Sequence, residues 1–70
     1  MNDKEKFFLF LLENYSCYKN KNSSEVLKEW DELDLTGFID DMYERYHTER
    51  LENAFEDIDE QIEKRRAKKQ

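Results

Sequence analysis

The chain has 70 residues, 18 acidic and 12 basic, with one cysteine, one histidine, one glycine and no proline. That length makes one small domain, and a single Cys beside a single His excludes both a disulfide framework and a Cys/His zinc centre. So little Gly and Pro excludes a Gly-rich phosphate loop and the turns of a β-sandwich, which leaves helices.

Charged residues make up 43% and hydrophobic ones 37%, a balance that leans toward disorder. Ten aromatics oppose it, since each can bury roughly 150–250 Å². The expected fold is all-α: a small compact bundle of four helices at about residues 3–19, 24–33, 36–46 and 49–66.

In the first helix Phe7, Phe8, Leu11, Leu12, Tyr15 and Tyr18 fall within an arc of about 140° and form a core face. Leu9, Phe10 and Cys17 lie outside that arc. Apolar surface off the main face predicts burial on a second side or contact with another chain, so a homodimer through Leu9 and Phe10 is expected.

Asn20 to Ser24 form the first loop, where Asn22 and Glu25 have capping-box spacing. The second helix carries Val26, Leu27, Trp30 and Leu33 on one side. Asp34 to Gly37 read as the next break. The third helix follows with the stripe Phe38, Ile39, Met42, Tyr43 and Tyr46. Thr48 is the expected N-cap of the fourth helix, with Glu49 in its first turn. Leu51, Ala54, Phe55, Ile58 and Ile62 then form a narrow apolar seam suited to one neighbour. Residues 1–63 are read as the single helical domain, and the basic stretch 64–70 as a frayed tail.

The longest apolar run, Phe7 to Leu12, is six residues, against about 20 for a bilayer span. No small-residue cleavage site follows it. A cytoplasmic protein with a free thiol and no membrane contact is expected.

Charge is segregated along the chain. Residues 1–24 sum to +1, residues 25–63 to −12 and residues 64–70 to +5. Within the fourth helix Glu49, Glu52, Glu56, Asp59, Glu60 and Glu63 share one band. It sets like charges at i, i+4, which destabilises a helix. Two readings follow: a solvated face, or a docking surface for a basic protein. Nothing in the spacing matches a calcium-binding loop, and no metal or cofactor is expected. Helices two and three can be drawn as a helix-turn-helix, but a segment of −12 repels the phosphates that supply most DNA affinity. No DNA binding is expected.

Residues that carry chemistry elsewhere are isolated here. His47 next to Glu44 or Glu49 is a general-base candidate, but no nucleophile can be placed beside it; a structural role between two helices is preferred. Cys17 sits mid-helix and is read as a small buried or half-exposed hydrophobe. On a helix, Glu56 and Asp59 share a side while Asp57 points away, so no acid/base pair is specified. Trp30 and the tyrosines are expected in the core. No catalytic residue is assigned, and the chain is expected not to be an enzyme.

Asn22-Ser23-Ser24-Glu25-Val26, Tyr43-Glu44-Arg45-Tyr46-His47-Thr48 and Glu56-Asp57-Ile58-Asp59 together resemble a family of small bacterial all-helical proteins of unknown function. That family carries a capped S-G-K-E-V helix, then Y-x-x-x-H-T and E-D-I-D. Asn22 departs from its usual cap, and Arg50-Leu51 stand where a glycine is common. The resemblance implies genes neighbouring ADP-ribosyltransferase-like proteins, a toxin–antitoxin arrangement. It assigns no catalytic residue, and it makes His47-Thr48 and Asp57-Ile58-Asp59 fold determinants. The expected function is thus a non-enzymatic protein–protein interaction module. It would be an antitoxin-like neutraliser binding a basic partner through the acidic band; the alternative is a nucleic-acid mimic inhibiting a DNA- or RNA-binding protein.

Overall fold

The computed structural model describes residues 1–69, apart from the side chain of Lys69, and the chain packs into a body of 35 × 23 × 22 Å. It contains α1 (Asp3–Tyr18), α2 (Ser23–Glu32), α3 (Leu35–Asp41), α4 (Tyr43–Tyr46) and α5 (Leu51–Lys69), with no strand among the described residues. None of the helices is long and apolar enough to cross a membrane. The all-α bundle expected from the sequence is therefore present, with five helices instead of four.

Local chemistry sets the boundaries. Asn2 caps α1 by accepting from the Glu5 N–H at 2.8 Å. At its other end Asn20 takes the left-handed conformation, φ 55°. Its N–H reaches Cys17 O while that of Lys21 reaches Ser16 O, which satisfies two otherwise orphaned carbonyls. Asn22 is the N-cap of α2, as expected, but its side chain accepts from the Ser24 N–H at 2.8 Å and not from the Glu25 N–H that a capping box uses.

Three expectations need correction. The break after α2 is shorter than Asp34 to Gly37: Asp34 alone turns left-handed, φ 58°, and Gly37 lies within α3. The helix expected at 36–46 is divided at Met42, whose N–H is shared between the Phe38 and Ile39 carbonyls. Asp40 and Asp41 stand at the end of α3, where the helix dipole disfavours anions, so the chain tightens and restarts. Thr48 does not cap α5. Its hydroxyl donates backward to Arg45 O at 2.9 Å and Glu44 O at 3.3 Å, satisfying carbonyls at the end of α4. α5 begins only at Leu51, so Glu49 lies in the connection and not in a first helical turn.

The core gathers one face of every helix. Leu11, Leu12 and Tyr15 of α1 meet Val26 and Trp30 of α2, Leu35 and Ile39 of α3, Tyr46 of α4, and Ala54, Phe55, Ile58 and Ile62 of α5. Trp30 is its centre, 0% exposed, with Phe8 edge-on at 5.8 Å and Tyr15 at 5.5 Å between centroids. Its Nε1–H has no partner among the described residues, a penalty offset by the large apolar area of a buried indole. Tyr18, expected on the core face, is 60% exposed and lies against the rim, stacked on Phe55 at 4.9 Å. It is the last residue of α1, where the helix runs past the core.

The basic segment from Lys64 continues α5 to Lys69. Arg65 donates through one Nη1 to the Leu33 and Asp34 carbonyls at 3.0 and 2.8 Å, and its guanidinium lies over the Phe38 ring. Arg66 pairs with Glu29 of α2. Both arginines thus tie the end of α5 to α2 and the turn that follows it. Gln70, the end of the expected tail, lies outside the described residues.

Candidate functional site

The apolar seam of α5 faces the core, which turns the carboxylates to its flank and outer side. The six carboxylates expected in one band fall into two groups, and Glu49 precedes α5 instead of lying on it. Glu52, Glu56 and Glu63 are exposed and form no ion pair or hydrogen bond among the described residues. Glu49, Asp59 and Glu60 each have a partner within the chain.

Glu49 pairs with Arg45 Nε at 2.7 Å and accepts from Asn53 Nδ2 at 3.2 Å. Those donors, Arg45 first, hold its carboxyl below the usual carboxylate range. Glu60 pairs with Lys64 at 2.8 Å, one turn on, and is lowered for the same reason. Asp59 accepts a 2.5 Å hydrogen bond from the Tyr15 hydroxyl and lies 3.3 Å from Lys19 Nζ. Burial, and then the Asp59 carboxylate, push the Tyr15 phenol well above its ordinary value.

Asp57 plays the matching part toward α4, accepting from the Tyr46 hydroxyl at 3.2 Å. Between the two aspartates Ile58 is fully buried. The Glu56-Asp57-Ile58-Asp59 run is therefore a clasp: its centre enters the core, and its two aspartates bind tyrosines from different helices.

Beside Asp59 a polar cavity of about 260 Å³ opens between α1, α2 and α5, lined by Lys19, Lys21, Glu29, Glu63 and Arg66. Three cations and three carboxylates line it, Asp59 included, so it presents no single sign to a ligand. A second hollow, about 440 Å³, is apolar and lies between α1 and α3, with Phe8, Leu9, Thr36 and Gly37 in its wall.

His47 closes α4. Its ring stacks on Tyr43 at 4.5 Å, meets Phe7 edge-on, and brings Nδ1 to 2.7 Å from Tyr43 O. Neither Glu44 nor Glu49 bonds to it among the described residues. Cys17 is free and exposed on α1. Among the described residues no group of three or more His, Cys, Asp and Glu is placed to hold a metal ion.

Sequence reasoning missed the Tyr15–Asp59 bond and the Arg65 and Arg66 anchors. Tyr15 and Asp59 are 44 positions apart, and no local pattern links residues at that separation. The arginines did carry a signal, since long cations near a helix end seek backbone carbonyls, but those carbonyls belong to another helix. Tyr18 beside the carboxylates was also missed. It rests on Phe55, one turn before Asp59 on the same helix, so an exposed ring borders the acidic side of α5.

No curated protein and no solved structure matches the chain. Residues 6–65 match the family described as "Protein of unknown function (DUF3791)", spanning α1 to most of α5, and the chain belongs to that family.

Proposed function

We propose that this protein is a non-enzymatic interaction module whose acidic α5 face binds a basic protein partner, in the manner of an antitoxin neutralising its toxin. The observation that carries the reading is that Glu52, Glu56 and Glu63, on one exposed side, have no ion pair or hydrogen bond among the described residues. Like charges on adjacent turns weaken a helix, and a cationic partner would relieve that repulsion. Asp59, Glu49 and Glu60 are each offset by a cation of the chain, Lys19, Arg45 and Lys64, so the net negative field of this face comes from Glu52, Glu56 and Glu63. Such a field speeds the encounter with a basic surface. Tyr18, exposed at the border, supplies the aromatic anchor that interfaces favour. The resemblance to small bacterial proteins encoded beside ADP-ribosyltransferase-like neighbours suggests such an enzyme as the partner and the cytoplasm as the place.

The test is co-purification with the neighbouring gene product, followed by titration of Glu52→Gln, Glu56→Gln and Glu63→Gln combined. Binding that is tight for the native chain and lost in the triple variant supports the reading. Absence of binding below the millimolar range with the helical fold intact rejects it. Displacement of the chain from its partner by excess duplex DNA would point to mimicry of nucleic acid.

A further inference from the structure

We propose that the outer face of α1 is the contact surface of a homodimer, in which two copies of the helix pack antiparallel about a two-fold axis passing between Leu9 and Phe10. This surface lies on a different helix from the acidic face of α5, so the two readings stand or fall separately.

α1 commits Leu11, Leu12 and Tyr15 to the core and turns Lys6, Leu9, Phe10, Glu13 and Cys17 to solvent. At ~100° per residue those five lie within a band of about 100°. Midway along its length its two margins are apolar: Leu9 is 44% exposed and Phe10 53%. On each side stands one charge. The side chains of Lys6 and Glu13 have no ion pair or hydrogen bond among the described residues, whereas nearby Lys4 is engaged by Asp40 at 3.2 Å.

The charges select both the partner and the direction. Lys6 precedes Leu9 by three residues, and Glu13 follows Phe10 by three. A two-fold axis between Leu9 and Phe10 therefore sets Lys6 of each copy against Glu13 of the other. Leu9 then meets its own counterpart, and so does Phe10, giving an apolar centre closed by two identical ion pairs. A parallel arrangement would put Lys6 on Lys6 and Glu13 on Glu13, which is repulsive at both ends. Two-fold contacts require one patch to complement itself, and this band does so only when antiparallel.

Cys17 provides a native ruler. About the proposed axis the two Cys17 positions are ~22 Å apart along the helix direction, beyond the ~7 Å that a disulfide spans. A parallel pair would hold them at the ~8–10 Å of packed helices.

The experiment is sedimentation equilibrium of the full chain at tens of micromolar, with spin labels on Cys17 read by pulsed electron resonance. The native chain is expected to dimerise, with labels separated by well over 15 Å. Lys6→Glu, an exposed substitution that leaves the core untouched, is expected to weaken the dimer at least about tenfold, because both ion pairs become repulsions. Adding Glu13→Lys exchanges the charges and is expected to restore the dimer to within a few-fold of native. Circular dichroism confirms that each variant is folded. A native chain that stays monomeric, a double variant as weak as Lys6→Glu alone, or labels at parallel spacing would each overturn the proposal.

Discussion

Two tyrosine hydroxyls inside this small domain end on carboxylates of α5: Tyr15 on Asp59 and Tyr46 on Asp57. Each phenol is buried in the core while its oxygen emerges beside an anion. Tyr15→Phe keeps the packing and removes only the hydroxyl, so the loss isolates the hydrogen bond. A bond to a charged acceptor contributes about 1.5–3 kcal/mol; Asp59 is partly open to water, so about 1.5 kcal/mol is expected. Urea unfolding, with Asp59→Asn and the double variant completing a cycle, measures it. The same bonds set the response to alkali. Burial and the neighbouring aspartates raise both phenols above their ordinary value in the folded chain, whereas in the unfolded chain they titrate near 10. Their contribution is therefore complete below about pH 10 and is lost as pH rises beyond it, because the unfolded state releases protons first. Thermal midpoints are expected to fall steeply above pH 10, and less steeply in Tyr15→Phe. Little of this was readable in the sequence: Tyr15 announces itself as a core residue and Asp59 as part of a charged band, but nothing local pairs them.

At the scale of elements, the helical class followed from periodicity, and the apolar stripes named from sequence face the core except at Tyr18, which the end of α1 carries to the rim. The ends were less legible, because they depend on which carbonyl finds a donor. Thr48 has the character of an N-cap, but α4 stops just before it, and its hydroxyl turns back to Arg45 O and Glu44 O. Gly37 resembles a break, yet the left-handed turn falls on Asp34, whose carbonyl and that of Leu33 are held by Arg65. That support comes from 31 and 32 residues away, beyond any local signal. Two predictions belong here. Gly37 sits inside α3 with nothing within 4 Å of the place a Cβ would occupy, so Gly37→Ala is expected to raise stability by about 0.5–1 kcal/mol. Arg65→Ala is expected to lower it by about 1.5–3 kcal/mol, since two carbonyls lose a charged donor and Phe38 loses its covering guanidinium. Urea midpoints read both, and an unchanged Arg65→Ala would mean that the end of α5 contributes nothing to the α2–α3 turn.

For the whole molecule the decisive feature is how little the acidic excess is used internally. Among the described residues Glu52, Glu56 and Glu63 form no ion pair or hydrogen bond, and the −12 segment accepts repulsion that substitution would remove. Glu56 is the sharpest case, because it stands one turn from Glu52 on one side and Glu60 on the other, exposed and unpaired. Glu56→Lys would turn both neighbours from repulsive to attractive i, i+4 contacts. If the domain were selected for stability alone, that lysine would be the better residue, and the variant is expected to melt a few degrees higher at low salt. Added salt should shrink the difference, because exposed charges are screened beyond roughly 10 Å at 0.1 M. If the face binds a cationic partner, the same variant should bind more weakly despite its greater stability, the trade that functional surfaces impose. Measuring both properties on one protein separates the two readings of the acidic band. A gain in melting temperature with binding lost assigns the carboxylates to a partner, whereas a gain with binding unchanged makes them only a solvated face.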